Sequence, residues 1–246
     1  MNQPANAIEV RDLVKVFGHF QAVKGINFNV RQGEIMGFLG PNGAGKTTTI
    51  KMITGLLKIT SGSVLVNGLD NKKHLTLIKK KMGYMSQKFS LYPLLTVLEN
   101  IEFFGGISGL TGKELRDQAT RIGAQLPPEL LRQRIQALPP GIRQQVALFV
   151  CLLSDPEIIL LDEPTSGVDP ALRRAFWNEI YQLKKNNKTL LVTTHHLDEA
   201  EYCDRVIIIH NGEIVLQGEP AELLRQNRQT SIEELFKQVI SAHGQN

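Results

Sequence analysis

The sequence predicts an α/β fold with a largely parallel sheet covered by helices on both faces, an antiparallel β subdomain and an inserted helical subdomain. Apolar runs that are typical of buried strands, each followed by turn residues or a helical pattern, occur at EIMGFL, EIILLD, TLLVTTH and RVIIIH. Alternating apolar positions precede these runs, and strand signals fade between about residues 90 and 153. These three observations define the predicted architecture.

The antiparallel region is expected at the start of the chain. Ile8, Val10 and the stretch INFNV alternate as half-buried strands do, and Gly33 and Gly62 mark turns. No internal repeat interrupts the pattern that follows. A chain of 246 residues buries a full core without disulfides, so we expect a single domain over residues 1–246.

Within that domain, residues 1–89 and 154–246 are predicted to form the core lobe, and about 90–153 the helical sub-lobe. Thr96 and Glu99 have the spacing of a capping box at the start of a helix in the sub-lobe. A later helix is predicted to bring apolar members of one three-four series onto a shared face; the series consists of Leu172, Ala175, Phe176, Glu179, Ile180 and Leu183.

Composition excludes several classes of protein. The formal net charge is +4 with no basic block, which predicts no nucleic-acid partner. Cys151 and Cys203 give neither a disulfide framework nor a metal-binding spacing, and we expect them to be ordinary thiols. The apolar run VALFVCLL is shorter than the ~18 residues that cross a bilayer. No signal peptide is recognisable either, so we expect any membrane work to pass through a partner.

A glycine-rich turn joins a strand to a helix in FLGPNGAGKTTTIKMITGL, and its centre fits G-x-x-x-x-G-K-[ST]. Such glycines let successive backbone N–H groups turn towards phosphate oxygens, and the helix from about Lys46 adds its positive end. Lys46 then supplies a point charge to the β- and γ-phosphates, and Thr47 a hydroxyl ligand for Mg²⁺. The flanking strand and helix argue against a plain turn, so the core is predicted to be a P-loop NTPase (RecA-like) core. The predicted phosphate-binding residues are Gly40, Pro41, Asn42, Gly43, Ala44, Gly45, Lys46, Thr47 and Thr48.

An acidic pair ends the apolar strand EIILLDEP. Asp162, at the carboxyl edge of a strand beside a phosphate loop, is placed to hold Mg²⁺. The next residue points to the other face of a strand, so Glu163 is free to polarise an attacking water. The alternative is a solvated Asp-Glu-Pro turn that simply ends a buried strand.

These motifs and their order resemble the ATP-binding cassette of ABC transporters over nearly the whole chain. SGVDP, with Ser166 and Asp169, resembles the D-loop that meets a partner cassette, and TTHHLDEAE places His195 at the switch histidine. Gln87 matches the Q-loop glutamine, a Mg²⁺ contact, and Phe17 the aromatic residue that stacks on adenine. The resemblance implies an ATPase with ATP and Mg²⁺ bound and Glu163, His195 and Gln87 at the reaction. Taken singly, these residues also fit ordinary core or surface positions.

The combination of LTVLENIEFFGGISGL with TSIEELFKQVI is most similar to the cassettes of ABC-2-type exporters, the drug-export branch. The resemblance implies polytopic membrane permease subunits and a peripheral location at the cytoplasmic face of the inner or plasma membrane. We expect docking near residues 87–92, through Phe89, Leu91 and Tyr92, unless the helical lobe buries them. The last helix is predicted to have a possible capping box, formed by Ser231 and Glu234. It is also predicted to have an apolar face, which consists of Ile232, Leu235, Phe236, Val239 and Ile240.

The stretch LPPG departs from the family pattern L-S-G-G, which caps the γ-phosphate of ATP on the opposite cassette. Leu138 and Gly141 fit, but Pro139 and Pro140 replace the serine and the first glycine. Proline has no hydroxyl and no N–H, so this cap should be weakened. We therefore expect an asymmetric pair with a different cassette that carries the intact signature. The alternatives are a nucleic-acid or ribosome-associated ABC ATPase, and a regulator that binds ATP without hydrolysing it.

Overall fold

The computed structural model describes residues 5–87 and 91–243. The strands, in chain order, are β1 (Asn6–Phe17), β2 (Phe20–Arg31), β3 (Ile35–Leu39), β4 (Ser61–Val66), β5 (Leu69–Asp70), β6 (Met82–Met85), β7 (Ile158–Asp162), β8 (Thr189–Thr194), β9 (Arg205–His210) and β10 (Glu213–Gly218). The helices are α1 (Lys46–Ile53), α2 (Leu75–Lys80), α3 (Val97–Ile107), α4 (Gly112–Gly123), α5 (Pro128–Leu131), α6 (Pro140–Cys151), α7 (Pro170–Lys185), α8 (Pro220–Asn227) and α9 (Ile232–His243). Short 3-10 helices lie at Ile135–Ala137 and Leu197–Tyr202.

A mostly parallel sheet forms the centre of the molecule, with strand order β10-β9-β3-β8-β7-β6. Neighbouring strands from β9 to β6 run parallel, and β10 is antiparallel to β9. Strands β3, β7 and β8 are buried along their whole lengths, which explains why their sequences are continuous apolar runs. This arrangement confirms the predicted α/β class and brings the carboxyl ends of β3, β8 and β7 to one edge.

The predicted antiparallel region is a second sheet with strand order β2-β1-β4-β5. Strands β1 and β2 form a hairpin that extends from Asn6 to Arg31. Strand β4 pairs with the other edge of β1. Gly62 has φ 86° at this pairing, and a Cβ atom there would collide with the carbonyl of Asp12, so the close approach of the two strands requires glycine.

Two apolar clusters fill the interior on opposite faces of the central sheet. One packs the antiparallel sheet and α1 against the sheet, with Ile8, Phe38 and Ile50 among its members. The other packs α3, α6 and α7 against it, with Leu148 and Trp177 at its centre. Among the described residues, none of the helices has both the length and the apolar character needed to cross a bilayer.

Helix α3 begins with the predicted capping box. The Thr96 hydroxyl accepts a hydrogen bond from the Glu99 N–H at 3.2 Å, and the Glu99 carboxylate accepts one from the Thr96 N–H at 2.7 Å. The reciprocal pair satisfies two helix-end donors that would otherwise lack partners. This prediction is confirmed.

Two sequence-based details need correction. The buried face of α7 consists of Phe176, Trp177 and Ile180, whereas Leu172 and Ala175 are exposed in the first turns of the helix. At α9, the Glu234 N–H donates to the Ser231 hydroxyl at 3.2 Å, but the Glu234 carboxylate accepts from the Thr230 N–H and hydroxyl. The second half of the predicted capping box is therefore shifted by one residue.

We predict that Thr96→Ala lowers the free energy of unfolding by about 1 kcal/mol, because the side-chain acceptor of the capping box is lost. Thr111→Ala is the matched control, since Thr111 precedes α4 without making a side-chain capping bond. Urea unfolding of both variants measures the difference. Equal losses would show that the box does not contribute.

Candidate nucleotide-binding site

The phosphate loop follows β3 directly and leads into α1. Gly43 and Gly45 adopt φ 81° and 109°, and Gly45 is the residue before the helix. A Cβ atom at Gly45 would lie 2.8 Å from the carbonyl oxygen of Ala22, so the loop packs too tightly against β2 for a side chain there. None of the described side chains caps α1 at this end, which leaves its first N–H groups available to an anion.

Lys46 is the first residue of α1 and is buried, with only 4% of its surface exposed. Its Nζ donates to the carbonyl oxygens of Gly40 at 2.7 Å and Pro41 at 3.1 Å. The Glu163 carboxylate lies 3.3 Å away. Burial lowers the pKa of Lys46, and the negative charge of Glu163 opposes that shift. The loop thus holds the positive group in the position that a phosphate chain would require.

Asp162 is the last residue of β7, and its carboxylate lies beside the Thr47 side chain of α1. Its Oδ1 accepts hydrogen bonds from the hydroxyls of Thr47 at 2.9 Å and Thr193 at 2.7 Å. Its Oδ2 is buried and has no hydrogen-bond partner among the described residues. Burial raises the pKa of Asp162, and the two hydroxyl donors oppose that change. An unpartnered carboxylate oxygen beside a threonine hydroxyl is a donor set that suits a small divalent cation.

Glu163 lies just beyond β7 in a left-handed turn, with φ 50°. Its N–H donates to the carbonyl and hydroxyl oxygens of Thr193 at 3.1 and 3.0 Å, and these bonds hold the turn. Strand alternation predicts that the Glu163 side chain points to the face opposite Asp162. In the structure, the left-handed backbone conformation of Glu163 sets the direction of its side chain instead. Non-glycine residues in this conformation are uncommon and cluster at functional sites.

The Glu163 carboxylate joins three other predicted site residues. Besides the contact with Lys46, it accepts a hydrogen bond from Gln87 Nε2 at 2.9 Å, and His195 Nδ1 lies 3.2 Å from the same oxygen, Oε2. These four residues come from β7, α1 and the segments that follow β6 and β8. The parallel sheet therefore brings together side chains that are far apart in sequence.

A cavity of 320 Å³ opens over this group. Phe17, which is 47% exposed, stands at its outer rim, and the Lys15 ammonium lies 4.8 Å from the centre of that ring. Phe20 is a second exposed aromatic residue of the rim, which the sequence analysis missed; its position three residues after Phe17 across a hairpin turn was the available signal. The cavity is lined by Phe17, Phe20, Ala22, Asn42, Gly43, Gly45, Lys46, Thr47, Thr48, Gln87 and Glu163.

The remaining predicted site residues lie apart from the lining of this cavity. Pro139 and Pro140 are exposed at the start of α6, where Pro139 makes no side-chain capping bond, and Leu138 before them is buried. The Ser166 carbonyl accepts a hydrogen bond from Gln144 Nε2 at 3.0 Å. The Asp169 carboxylate caps α7 by accepting hydrogen bonds from the N–H groups of Ala171 and Leu172. Gly141 of α6 packs directly on Leu172 of α7.

A strand, a glycine-rich phosphate loop, a helix and an acidic pair on a nearby parallel strand define a P-loop ATPase. Residues 23–166 match the family model described as ABC transporter. The chain belongs to this family and is one of its ATP-binding cassettes.

Proteins with similar sequences agree with this assignment. The chain is 44% identical over 239 residues to the probable multidrug ABC transporter ATP-binding protein YbhF of Escherichia coli (strain K12), an alignment that covers 95% of this chain but only 41% of that protein. It is 36% identical over 218 residues to the linearmycin resistance ATP-binding protein LnrL of Bacillus subtilis (strain 168), with 88% of this chain and 70% of that protein covered. The chain thus spans less than half the length of YbhF.

Solved structures show the same fold. An ATP-binding subunit of an ABC transporter superposes with TM-score 0.84 at 27% identity, covering 95% of this chain and 99% of the other. A dimeric post-hydrolysis state of the cassette MJ0796, bound to ADP and Pi, superposes with TM-score 0.78 at 30% identity, covering 86% and 98%.

We predict that Lys46→Met, which keeps most of the side-chain volume, weakens ATP binding by about ten- to a hundredfold, because hydrogen bonds to charged groups contribute ~1.5 to 3 kcal/mol. Lys58→Met is the control, since Lys58 is an exposed lysine just after the same helix. Isothermal titration calorimetry measures both, with thermal unfolding as a check on folding. Unchanged affinity in Lys46→Met would place the nucleotide elsewhere.

Proposed function

We propose that this chain is the ATP-hydrolysing subunit of an ABC-2-type exporter that moves drugs or other hydrophobic substrates. The convergence of Lys46, Gln87 and His195 on the Glu163 carboxylate is the observation that carries the proposal. The names of YbhF and LnrL, which refer to a multidrug ABC transporter and to linearmycin resistance, support the export branch. The location would be the cytoplasmic face of the membrane, reached through permease subunits.

Nucleotide binding would rearrange the contacts of Lys46. The ammonium is now satisfied by two loop carbonyls and by Glu163. The β- and γ-phosphates of ATP, held by the loop N–H groups, would compete for this ammonium. Glu163 would then lose its cation partner, and its carboxylate would be free to bind and polarise a water molecule. Phe17 and Phe20 at the rim would offer apolar faces to the base.

The residues present fit a Mg²⁺ ion. Thr47 and Asp162 would hold it, since the Thr47 hydroxyl lies beside a buried carboxylate with one unpartnered oxygen. The amide nitrogen of Gln87 donates to Glu163, so its oxygen is the atom we assign to the cation. When bound, Mg²⁺ supplies charge neutralisation and orientation of the phosphates.

Hydrolysis would need Glu163 to take a proton from the attacking water and His195 to stabilise the γ-phosphate. The 3.2 Å contact between the two side chains already fixes their relative position. The left-handed turn and the hydrogen bonds from the Glu163 N–H to Thr193 fix the backbone from which the carboxylate extends. A rigidly held base is consistent with hydrolysis and argues against a regulator that only binds ATP.

We predict that Glu163→Gln lowers the single-turnover rate of ATP hydrolysis by at least about a hundredfold while ATP still binds, because general-base catalysis contributes 10² to 10⁴ in rate. The matched control is Glu201→Gln, which alters an exposed carboxylate. The rate is measured in the complex that co-purifies with the chain. A wild-type complex that binds ATP without turnover would instead support the regulator.

The signature stretch, Leu138 to Gly141, would face the nucleotide of a second cassette. Its two prolines are exposed and offer neither a hydroxyl nor an N–H, so the Gly141 N–H and the helix end of α6 are the donors that remain. The residues around this chain's own nucleotide are, by contrast, all present. We therefore infer an unequal pair in which a different cassette supplies the intact signature.

We predict that Glu163→Gln in the isolated chain forms ATP-dependent homodimers weakly. Adding Pro139→Ser and Pro140→Gly to that variant should tighten the dimer by at least about a hundredfold, because each of its two sites regains a charged hydrogen bond at ~1.5 to 3 kcal/mol. Sedimentation equilibrium with ATP measures both. Equally tight dimers before and after the proline replacements would refute the unequal pair.

A docking patch for the membrane subunits is formed by Tyr92, Phe103 and Ile107. Phe103 is 40% and Ile107 67% exposed, and the rings of Tyr92 and Phe103 lie 4.7 Å apart. Beside the patch, a cleft of 560 Å³ between β6 and α3 contains Ile107 and Phe104. Of the residues predicted to dock, Leu91 is buried, which corrects that prediction, and Phe89 lies outside the described residues. An apolar helix of a permease subunit would cover the patch.

We predict that Phe103→Asp with Ile107→Asp prevents co-purification with a polytopic membrane protein but leaves ATP affinity unchanged, because a charge would have to be buried at the interface. Leu56→Asp is the control, since Leu56 is 58% exposed, which lies between the values for Phe103 and Ile107, but follows α1. Detergent extraction followed by affinity purification measures the effect. Recovery of RNA or DNA instead of a membrane protein would favour the nucleic-acid alternative.

A further inference from the structure

Arg173, near the start of α7, contacts three side chains of the segment that follows His195. Its Nη1 lies 3.4 Å from Asp198 Oδ2, and its Nε lies 3.7 Å from Glu199 Oε1. Its Nη2 lies 3.4 Å from His196 Nε2. The side chain is only 18% exposed. A guanidinium presents its donors in a fixed plane, so one arginine can hold three partners in a defined arrangement.

Glu199 connects this contact to the loop that follows Glu163. Its carboxylate is fully buried and accepts a hydrogen bond from the Thr165 hydroxyl at 2.7 Å. Thr165 directly precedes the Ser166-to-Pro170 stretch. A buried carboxylate needs a compensating charge, and Arg173 supplies it from a third element. The Arg173–Glu199 pair therefore joins α7, the loop after β7 and the 3-10 helix Leu197–Tyr202.

His196 connects the same arginine to the reaction centre. A guanidinium can only donate, so a hydrogen bond between Arg173 and His196 requires Nε2 of a neutral His196 ring as the acceptor. Burial lowers the pKa of His196; the charge of Arg173 and the neighbouring His195 add to the shift, and Glu199 and Asp198 oppose it. The His196 and His195 rings are 4.2 Å apart, and His195 Nδ1 lies 3.2 Å from Glu163 Oε2. A continuous line of contacts thus leads from Arg173 to Glu163.

Two atoms of this junction make no hydrogen bond among the described residues, namely Arg173 Nε and Glu199 Oε2, and both are buried. Unsatisfied buried polar atoms cost free energy, so stability alone does not account for the arrangement. At 3.7 Å, the Arg173 to Glu199 contact is an ion pair that has room to close into a hydrogen bond. Such a junction can tighten when the loops around the nucleotide adjust.

We propose that Arg173 is a positioning residue for ATP hydrolysis, which holds the segment carrying His195 against the Thr165 loop and so fixes His195 relative to Glu163. Arg173 does not line the nucleotide cavity, so its effect is indirect. The inference rests on the ATPase chemistry of the cassette, and neither the export role nor the unequal pair is needed for it.

The test compares Arg173→Gln with Arg174→Gln, which removes the same charge from the neighbouring, exposed position of the same helix. In the complex that co-purifies with the chain, Arg173→Gln should lower single-turnover hydrolysis roughly tenfold, since small displacements of reacting groups cost up to about a hundredfold. The dissociation constant for ATP should change by less than about twofold, because binding contacts are untouched. Arg173→Lys should recover part of the rate, since it keeps the charge without the planar fork.

A second readout separates positioning from general stability. NMR titration of the histidine rings in the purified chain should show the pKa of His196 raised in Arg173→Gln, because a positive neighbour is removed, and unchanged in Arg174→Gln. Hydrolysis equal to wild type would overturn the proposal. An equal fall in both variants would overturn it as well. A slower rate that follows a lower unfolding temperature, with the His196 titration unmoved, would show a merely structural role and would also overturn it.

Discussion

The buried ammonium of Lys46 is the group around which the nucleotide site is arranged. A buried charge is costly unless it is paired and hydrogen-bonded, and here two loop carbonyls and the Glu163 carboxylate provide that compensation. The position of Glu163 in turn determines where Gln87 and His195 find a partner. The phosphate loop and the acidic pair are therefore one electrostatic unit, and in the proposed function a nucleotide phosphate would take the place of the carboxylate beside Lys46.

The order of strands explains how this unit forms from distant segments. Strand β8 lies between β3 and β7, so Thr193 can donate to the Asp162 carboxylate and accept from the Glu163 N–H, while His195 follows β8 at the same edge. Helix α6 connects the helical region to that edge through two contacts. Gly141 of α6 packs on Leu172 of α7, and Gln144 Nε2 of α6 donates a hydrogen bond to the Ser166 carbonyl oxygen. Movement of α6 is thereby linked to the loop that follows Glu163.

Local patterns were enough to predict the fold class, the phosphate loop, the acidic pair and the α3 capping box. Each depends on residues within a few positions of one another, where spacing and chemistry are visible in the sequence. The burial of Trp177, the role of Phe20 at the rim and the Arg173–Glu199 pair were not predicted, because they depend on which segments the folded sheet brings together. The turn at Glu163 was missed because glutamate has no preference for a positive φ.

The backbone at Glu163 also has a consequence for selection on this molecule. A non-glycine residue with φ 50° carries a strain of about 1 to 3 kcal/mol, which a glycine or asparagine at this position would relieve. Such replacements would also leave the buried Lys46 ammonium without its carboxylate partner, a loss of about 3 to 5 kcal/mol that exceeds the relieved strain, and they would remove the base that we propose. Screening for heat resistance would consequently retain this glutamate despite its strained backbone, so robustness and turnover favour the same residue in any directed evolution of this cassette.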